Sequence, residues 1–431
     1  MASTEARPVE AGERLLLLDV LRGFALGGVF VSNAYMHLSG RGLASKATLD
    51  ALMVSRVDVV ADFLFERLLA GKAMAIFSFL FGLGFAIQLG RAEERGTSIV
   101  SVYARRLGVL LLIGFTHLFA LWYGDVLHMY AVMGFVLLLF HRVPDRRLLG
   151  WSLVLMLGAP LVMTFILRLL PLLASSHEVV QAVSRETSAR SAEIRERTLE
   201  AFQSGSYLTT VRANVEFHLS VFFKPMMMGH ALVTLGRFLL GLVAGRRQLF
   251  QDVSGNRALF RRLLGWGLGV GLVGNATGLL LKHLSTTGVI PKGALWMTVV
   301  PLSIWELGVL GLATFYVAGL SLLFLRPRAR RLLCVLAPAG QMALTNYLGQ
   351  TVLSQLVFYG YGLNLIGRLR PSSCLLLMSG LFCVQVLVSH LWLARFRFGP
   401  AEWVWRSLTY GKLQPMRRVP VLAEQGAAPA T

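Results

Sequence analysis

The sequence predicts an all-α polytopic membrane helix bundle, with about ten transmembrane helices and interfacial amphipathic helices. Of the 431 residues, 55% are apolar and only 15% are charged, against about 25% charged in an ordinary soluble domain. Apolar runs of about 20 residues, the length that crosses a bilayer, recur with short polar gaps. The 42 Lys and Arg residues lie in clusters between these runs and form no continuous basic face. This pattern excludes a soluble enzyme and predicts no nucleic-acid partner.

The apolar runs, taken in order along the chain, give the predicted spans. The third and fourth are the shortest, and only Gly124 and Asp125 separate them. The ten predicted spans cover residues 15–36, 72–90, 107–123, 126–141, 148–172, 226–245, 260–281, 295–324, 332–359 and 373–394.

Loop charge predicts the orientation and the organisation of the chain. If the N-terminus is cytoplasmic, the inner loops hold about twice as many Lys and Arg residues as the outer loops. An even number of spans then predicts that both termini are cytoplasmic and that the protein lies in a bacterial inner membrane. The predicted parts are an N-terminal membrane half with five spans (1–173), an extracytoplasmic helical loop (174–218), a C-terminal membrane half with five spans (219–411) and a disordered cytoplasmic tail (412–431).

Two stretches outside the spans have interfacial character. Residues 56–70 alternate acidic and apolar side chains at helical spacing, which predicts an amphipathic helix leading into the second span. Residues 399–406 begin with Gly-Pro, a helix-start signal, and carry tryptophan and arginine suited to the headgroup layer. Both stretches are therefore expected to lie along the membrane surface.

The first span carries ionisable side chains, which are costly in hydrocarbon and usually face the interior of a helix bundle. Asp19 and Arg22 are three residues apart and share one helix face. They form either a self-neutralising pair or a binding site. Asn33 and His37 follow, one turn apart, at the outer end of the same span. A histidine at a helix end is either interfacial or catalytic.

The hairpin between the third and fourth spans is the densest polar cluster in an apolar region. His117 precedes the turn, and Asp125 and His128 lie three residues apart within and just after it. A histidine with a carboxylate is the pairing needed to take a proton from a hydroxyl or an amine, because the carboxylate holds the imidazole tautomer. Turn formation alone explains Gly124 and Asp125 equally well. The spacing matches no zinc motif, so no metal is predicted.

Three more polar residues lie inside later spans. Arg237 and Glu306 are plausible partners across two helices, as a structural ion pair or as part of a substrate site. Asn346 belongs to a polar row that either lines a cavity or bridges helices by hydrogen bonds.

Five stretches of the sequence resemble the bacterial YeiB family, whose members are largely uncharacterised. Together they reach from the first span to the C-terminal interfacial stretch. They are residues 18–26 (LDVLRGFAL) followed by Asn33, 77–85 (FSFLFGLGF), His117 with 122–131 (WYGDVLHMYA), 340–347 (GQMALTNY) and 398–406 (FGPAEWVWR).

The opening Asp-x-x-Arg-Gly, with an Asn eleven residues after the Arg, is also similar to the transmembrane acyltransferases that include heparan-alpha-glucosaminide N-acetyltransferase. Those enzymes pass an acyl group from cytoplasmic acyl-CoA to an acceptor across the membrane. Arg22 and Asn33 match that motif, whereas His37 follows Asn33 by only four residues, earlier than the motif places its histidine.

This second resemblance implies roles for the candidate residues, with acyl-CoA (acetyl-CoA) as the donor and no metal. Arg22 and Asp19 would hold the cofactor, and His37 or His128 would act as general base. Asp125 would orient the base and Asn33 would stabilise the oxyanion. Substrate binding is predicted, from their polar side chains within the spans, for His117, Glu306, Arg237 and Asn346.

The sequence therefore supports an integral-membrane acyltransferase acting on an extracytoplasmic or lipid-linked acceptor. The alternative is a transporter or exporter of a small molecule or lipid with a polar midplane site. A non-catalytic membrane scaffold is the third hypothesis. Predicted partners are membrane lipids, a small-molecule or envelope-glycan acceptor, and a second copy of the chain in a homo-oligomer.

Overall fold

A computed structural model of the chain describes residues 15–94, 99–171, 176–222, 225–290 and 296–418. Within these residues the regular structure is helical, and the β-structure is one isolated antiparallel bridge between Phe396 and Arg417. The predicted all-α membrane bundle is confirmed.

The described residues contain eighteen α-helices, several of which are extended by short π-helical turns. They are α1 (Leu16–Asn33), α2 (Lys46–Ala51), α3 (Arg56–Leu64), α4 (Lys72–Glu94), α5 (Ile99–Ala120), α6 (Leu127–Leu139), α7 (Asp145–Leu153), α8 (Ala159–Thr164), α9 (His177–Gln203), α10 (Tyr207–Phe217), α11 (Pro225–Arg246), α12 (Arg257–Thr286), α13 (Trp296–Phe324), α14 (Pro327–Leu333), α15 (Ala337–Gln341), α16 (Ala343–Phe358), α17 (Pro371–Arg395) and α18 (Pro400–Tyr410).

The number of spanning helices is lower than the ten that the apolar runs predict. In the described residues, eight helical stretches are long and apolar enough to cross a membrane, or nine if the bent pair Pro327–Gln341 and Ala343–Phe358 counts as one span. The missing span is α6, whose 13 residues reach only about 20 Å against a hydrocarbon core of about 30 Å.

Helix α6 nevertheless connects the two ends of the bundle. Just beyond its C-terminus, the carbonyls of His141 and Val143 accept hydrogen bonds from Arg246 at the end of α11. At its N-terminus it follows the connection 121–126, in which Trp122 and Asp125 are buried. We call the end with Arg246 the inner end, and the end with α9 and α10 the outer end.

Helices of the two predicted membrane halves pack directly on each other. At the crossing of α4 with α11, a Cβ added to Gly82 would lie 1.9 Å from the carbonyl oxygen of Phe238. At the crossing of α1 with α15, a Cβ on Gly340 would lie 1.9 Å from the carbonyl oxygen of Asp19, and one on Gly23 would lie 2.2 Å from that of Leu336. Small residues thus let the backbones meet, as is common between membrane helices.

The chain bends by 79° between α15 and α16. A bend inside the bundle frees backbone N–H groups, which need partners where water is scarce. Glu402 of α18 supplies them: one carboxylate oxygen accepts from the N–H groups of Leu344 (2.6 Å) and Thr345 (3.1 Å), and the other accepts from the Thr345 hydroxyl (2.5 Å). Burial nevertheless raises the pKa of Glu402, although these bonds act in the opposite direction.

The predicted extracytoplasmic loop forms the helix pair α9 and α10, which covers the outer end of the bundle. Phe202 stacks on Tyr359 with ring centroids 4.5 Å apart, and its carbonyl accepts from the N–H of Gly360. Asn214 donates to the carbonyl of Leu118 (2.6 Å). The turn after α5 therefore lies beneath a packed cover.

The interfacial predictions correspond to short helices. Ser55 and Asp58 form a capping box that starts α3, and a break at Gly71, with φ +79°, separates this segment from α4. At the start of the predicted tail, Met416 and Arg418 form backbone hydrogen bonds with Arg397 and Arg395. Residues 419–431 of that predicted tail lie outside the described residues.

We expect Gly340→Ala to lower the unfolding midpoint in detergent, measured by circular dichroism. The new Cβ would overlap the main chain of α1, and overpacking of this kind costs about 1–3 kcal/mol. Gly90→Ala in α4 is the matched control, because a Cβ at Gly90 meets nothing within 4 Å. Equal midpoints for the two variants would contradict the close crossing.

Candidate active site

A cavity of about 270 Å³ runs through the bundle between α1, α4, α5, α6, the α15–α16 bend and α18. Helix α1 lines it with side chains three or four residues apart, from Leu15 to Val29, which places them on one face. That stretch of helix rises about 21 Å. The cavity therefore extends from the inner end deep into the bundle.

Four arginines surround the inner part of the cavity. Arg22 donates to the predicted partner Asp19 (3.0 Å), and Arg22 and Arg106 lie close enough for their charges to repel each other. The acidic side chains of the lining are Asp19 and Glu402, which leaves a positive excess. The four arginines, which we call the basic mouth, are Arg22, Arg91, Arg106 and Arg406.

Helix α18 holds Arg106 in this mouth. The Arg106 guanidinium lies over the ring of Trp405 (4.1 Å to the centroid) and donates to the side-chain oxygen of Gln88 (3.1 Å). The indole N–H of Trp405 donates to the main-chain carbonyl of Arg106 (2.9 Å). The mouth is thus built by residues from α1, α4, α5 and α18.

At its outer end the cavity reaches Val126, Leu127 and Tyr347. The Tyr347 hydroxyl accepts from the N–H of Val126 (3.3 Å) and donates to Asp125 (3.5 Å). The cavity therefore ends against Tyr347, and Asp125, the predicted orienting carboxylate, lies behind this side chain and outside the lining, as do His117 and His128.

Asp125 joins both hairpin histidines into one cluster. Its two carboxylate oxygens lie 2.8 Å from Nδ1 of His117 and 2.8 Å from Nδ1 of His128. The second oxygen also accepts from the N–H of His128 (2.9 Å). Nε2 of His117 lies 2.9 Å from the Thr351 hydroxyl. We call these three residues, His117, Asp125 and His128, the His–Asp–His cluster.

The ionisation state of Asp125 indicates which histidine nitrogens carry protons in this cluster. Asp125 lies in the connection between helices, where burial raises its pKa, but the hydrogen bonds from the two histidines outweigh burial and leave the pKa below its ordinary value. An ionised carboxylate only accepts, so both histidines donate through Nδ1. Nε2 of His128 has no hydrogen-bond partner among the described residues and carries a lone pair in the neutral form of the ring, and the side chain is only 12% exposed.

Asn33 and His37 lie outside the lining of the cavity, although Asn33 continues the cavity face of α1 one turn beyond Val29. The His37 ring packs 5.8 Å from the ring of Trp122 and 6.2 Å from that of Tyr123. His37 therefore lies beside the hairpin turn, and Asp125 orients His128 and not His37.

The other predicted substrate residues lie away from the cavity. Arg237 and Glu306 form a buried ion pair between α11 and α13, close to the buried Lys72. The amide of Asn346 donates to the Ala339 carbonyl (3.1 Å) and to the Ser389 hydroxyl (3.0 Å). None of these three residues lines the cavity. Their contacts are those of a structural ion pair for Arg237 and Glu306 and of a hydrogen-bonded bridge between helices for Asn346.

Several cavity and cluster residues were not singled out from the sequence. From the sequence alone, Arg106 and Arg406 look like ordinary charges of a loop or of the headgroup layer. Only the fold brings their helices together at the cavity. Tyr347 and Thr351 lie in the same span as the predicted Asn346, at positions +1 and +5. The residues that sequence reasoning missed are Arg91, Arg106, Arg406, Tyr347, Thr351 and His218.

No group of three or more His, Cys, Asp or Glu side chains in the described ranges is arranged to hold a metal ion. In the His–Asp–His cluster, Nδ1 of each histidine is directed at the carboxylate. The geometry is that of an oriented base and not of converging ligands.

The chain matches a family described as a protein of unknown function (DUF418) over residues 244–412. It is 32% identical over 425 residues to the uncharacterized protein YxaH of Bacillus subtilis (strain 168), covering 96% of this chain and 98% of that protein. It is 28% identical over 422 residues to an uncharacterized 39.9 kDa protein of Bacillus acidopullulyticus, covering 97% and 99%. The uncharacterized protein YeiB of Escherichia coli (strain K12) is 28% identical over 413 residues, covering 92% and 96%. No solved structure matches the chain.

We expect Asp125→Asn to lower the free energy of unfolding by about 1–3 kcal/mol, because the amide nitrogen leaves one histidine donor without an acceptor. Denaturant unfolding in detergent measures this loss, with the exposed Asp50→Asn in α2 as control. Since the folded pKa of Asp125 is depressed, the stability that its charge contributes is present above the unfolded pKa of about 3.9 and is lost as pH falls through the folded value. A difference between wild type and Asp125→Asn that vanishes at neutral pH would contradict an ionised Asp125.

Proposed function

This chain belongs to the YeiB family of uncharacterised multi-pass membrane proteins, and from that premise we propose that it is an acyl-CoA-dependent acyltransferase. One observation carries the proposal: a single cavity leads from the basic mouth to Tyr347, whose hydroxyl contacts Asp125 of the His–Asp–His cluster. A donor bound at the inner end would thereby extend to within one side chain, Tyr347, of the proposed base at the outer end.

The basic mouth suits the donor. Arginine is the side chain that best pairs with phosphate oxygens, through two parallel N–H donors. Acyl-CoA carries several phosphate charges at one end and a thioester at the other. With Arg22, Arg106 and Arg406 on the phosphates, the thioester arm would extend along the apolar wall formed by residues such as Leu26, Val29 and Leu110.

The cluster suits the transfer. An acceptor hydroxyl or amine attacks the thioester carbonyl carbon, and Nε2 of His128 takes its proton. The new C–O or C–N bond forms, the C–S bond breaks, and the thiolate that leaves receives the proton from His128. Asp125 holds the imidazole tautomer and stabilises the imidazolium while it exists. His117 contacts the Thr351 hydroxyl through Nε2 and the Asp125 carboxylate through Nδ1, and so keeps that carboxylate in place.

Asn33 is the proposed donor to the oxyanion that develops on the carbonyl oxygen. It continues the cavity face of α1 one turn beyond Val29, outside the lining. Removal of one such donor typically lowers the rate about 100- to 1,000-fold.

Location in an inner membrane with both termini cytoplasmic belongs to the same proposal. The ends of the helices with many arginines, including Arg91, Arg246 and Arg395, lie at the inner end together with the basic mouth. The positive-inside rule favours a cytoplasmic position for this end, which is also where acyl-CoA is made.

Transport remains the second candidate function, favoured by the bend between α15 and α16. Discontinuous helices with half-helix ends directed at a cavity form many transporter binding sites. In this chain, however, Glu402 already occupies the N–H groups at the start of α16. This leaves less of that helix end available for a transported substrate.

We expect Arg22→Ala to weaken acetyl-CoA binding to the purified protein about 10-fold or more, because a charge-assisted hydrogen bond contributes about 1.5–3 kcal/mol. Isothermal titration in detergent measures the affinity. Arg261→Ala, an exposed arginine at the start of α12 outside the cavity, is the control and should bind like wild type. No saturable binding to wild type would overturn the acyltransferase proposal.

We expect His128→Gln to reduce acyl transfer about 100- to 10,000-fold, the usual contribution of a general base, while acetyl-CoA binding is retained. Label from radioactive acetyl-CoA that enters membranes carrying the protein measures transfer. His37→Gln is the comparison, because His37 does not contact Asp125. If His37→Gln loses transfer and His128→Gln does not, the assignment of the base is wrong.

A further inference from the structure

The general base of the proposed reaction lies on the same face of α6 as a row of exposed apolar residues. The 12% exposed His128 side chain is in line with a stripe of exposed residues three or four apart, Val132, Phe135 and Leu139. Leu139, at the far end of the stripe, is 77% exposed. In a spanning bundle, a continuous apolar stripe of this kind faces the acyl chains of the bilayer.

Helix α5 presents a matching stripe beside it. Leu112, Phe115 and Phe119 are exposed, and the Phe115 ring stacks on the His128 ring with centroids 5.9 Å apart. The imidazole therefore lies in the seam between two lipid-facing stripes, with aromatic side chains along its border.

The seam is held narrow at the level of His128. A Cβ added to Gly114 of α5 would lie 2.4 Å from the backbone nitrogen of His128. The two helices thus touch at this point, and α6 cannot turn the imidazole elsewhere without losing that contact. On the outer side, the ring of His218 meets the His128 ring at 6.0 Å, edge to face.

The route from the outer aqueous phase is covered. Tyr123 of the hairpin turn is buried beneath Phe217 (4.6 Å between ring centroids) and Phe202 (6.4 Å) of the helix pair. The carbonyl of Tyr123 accepts from the His218 ring (2.8 Å). A water-soluble acceptor arriving from above would have to displace this packing, whereas one carried by the bilayer would, among the described residues, meet the seam with the Phe115 and His218 rings.

We infer that the acceptor is a membrane-borne amphiphile, a lipid or a lipid-linked molecule, whose hydroxyl or amine reaches Nε2 of His128 laterally through the seam between α5 and α6. This inference rests on the proposed function and assigns its substrate class. The acyl donor and the bond changes are those given above. The donor enters by the basic mouth and the acceptor by the seam, so the two substrates do not compete for one entrance.

Cysteine labelling tests the route without requiring the identity of the acceptor or any activity. The three native cysteines are replaced by alanine, and His128→Cys is placed in that background in vesicles of phosphatidylethanolamine and phosphatidylglycerol. Labelling by a maleimide that partitions into the bilayer is compared with labelling by a charged, membrane-impermeant methanethiosulfonate on both sides of the vesicle. Leu139→Cys serves as the lipid-exposed standard and Ser204→Cys, at the exposed turn after α9, as the aqueous standard.

The expected result is that His128→Cys reacts with the partitioning reagent as Leu139→Cys does, while only Ser204→Cys reacts with the charged reagent. Rapid reaction of His128→Cys with the charged reagent would overturn the inference in favour of a water-soluble acceptor. Reaction with neither reagent would also overturn it, because the imidazole would then be sealed from the bilayer.

Narrowing the seam separates this inference from the proposed function. Val132→Trp is expected to lower acyl transfer several-fold while acetyl-CoA binding is unchanged, and Leu139→Trp, two turns further from His128, is expected to leave both unchanged. Unaltered transfer in Val132→Trp would contradict lateral entry but leave the acyltransferase proposal intact. Absence of acetyl-CoA binding in wild type would overturn the proposed function, whereas the labelling pattern would still report access to His128.

Discussion

The bend between α15 and α16 is the constraint on which the site depends. Backbone N–H groups freed inside a membrane bundle must find an acceptor, and Glu402 provides it from α18. Because that carboxylate must reach the start of α16, α18 is drawn against α5, where Trp405 packs on Arg106. The need of the α16 N-terminus for a hydrogen-bond acceptor thus determines where α18, one wall of the basic mouth, lies.

The same bend also orients the outer end of the cavity. Beyond it, α16 carries Tyr347 and Thr351 one turn apart, so both face the hairpin and reach Asp125 and His117. The contact of Gly340 with the main chain of α1 keeps the bend close to Arg22. The inner and outer parts of the cavity are therefore coupled through a few residues on either side of Met342.

Sequence reasoning located the local parts of this site. Asp19 with Arg22, and Asp125 with His128, were predicted as pairs because three residues on a helix place side chains on one face, and both pairs are in contact. It did not separate Asn346, which bridges helices, from its neighbour Tyr347, which lines the cavity. The two side chains differ by one helix position, about 100° of rotation, and only the packing of α16 decides which one faces inward.

The apolar runs by themselves determined that the chain is an all-α membrane bundle with its polar residues concentrated in a few places, because hydrophobic length and helical spacing are local properties. Tertiary structure decided the rest. It showed that α6 is too short to span alone, that Arg22, Arg106 and Arg406 share one mouth, and that Asp125 orients His117 and His128 and not His37. These outcomes rest on contacts between helices far apart in the chain, which depend on how each helix is rotated and which neighbours it packs against, and no local pattern of residues specifies that.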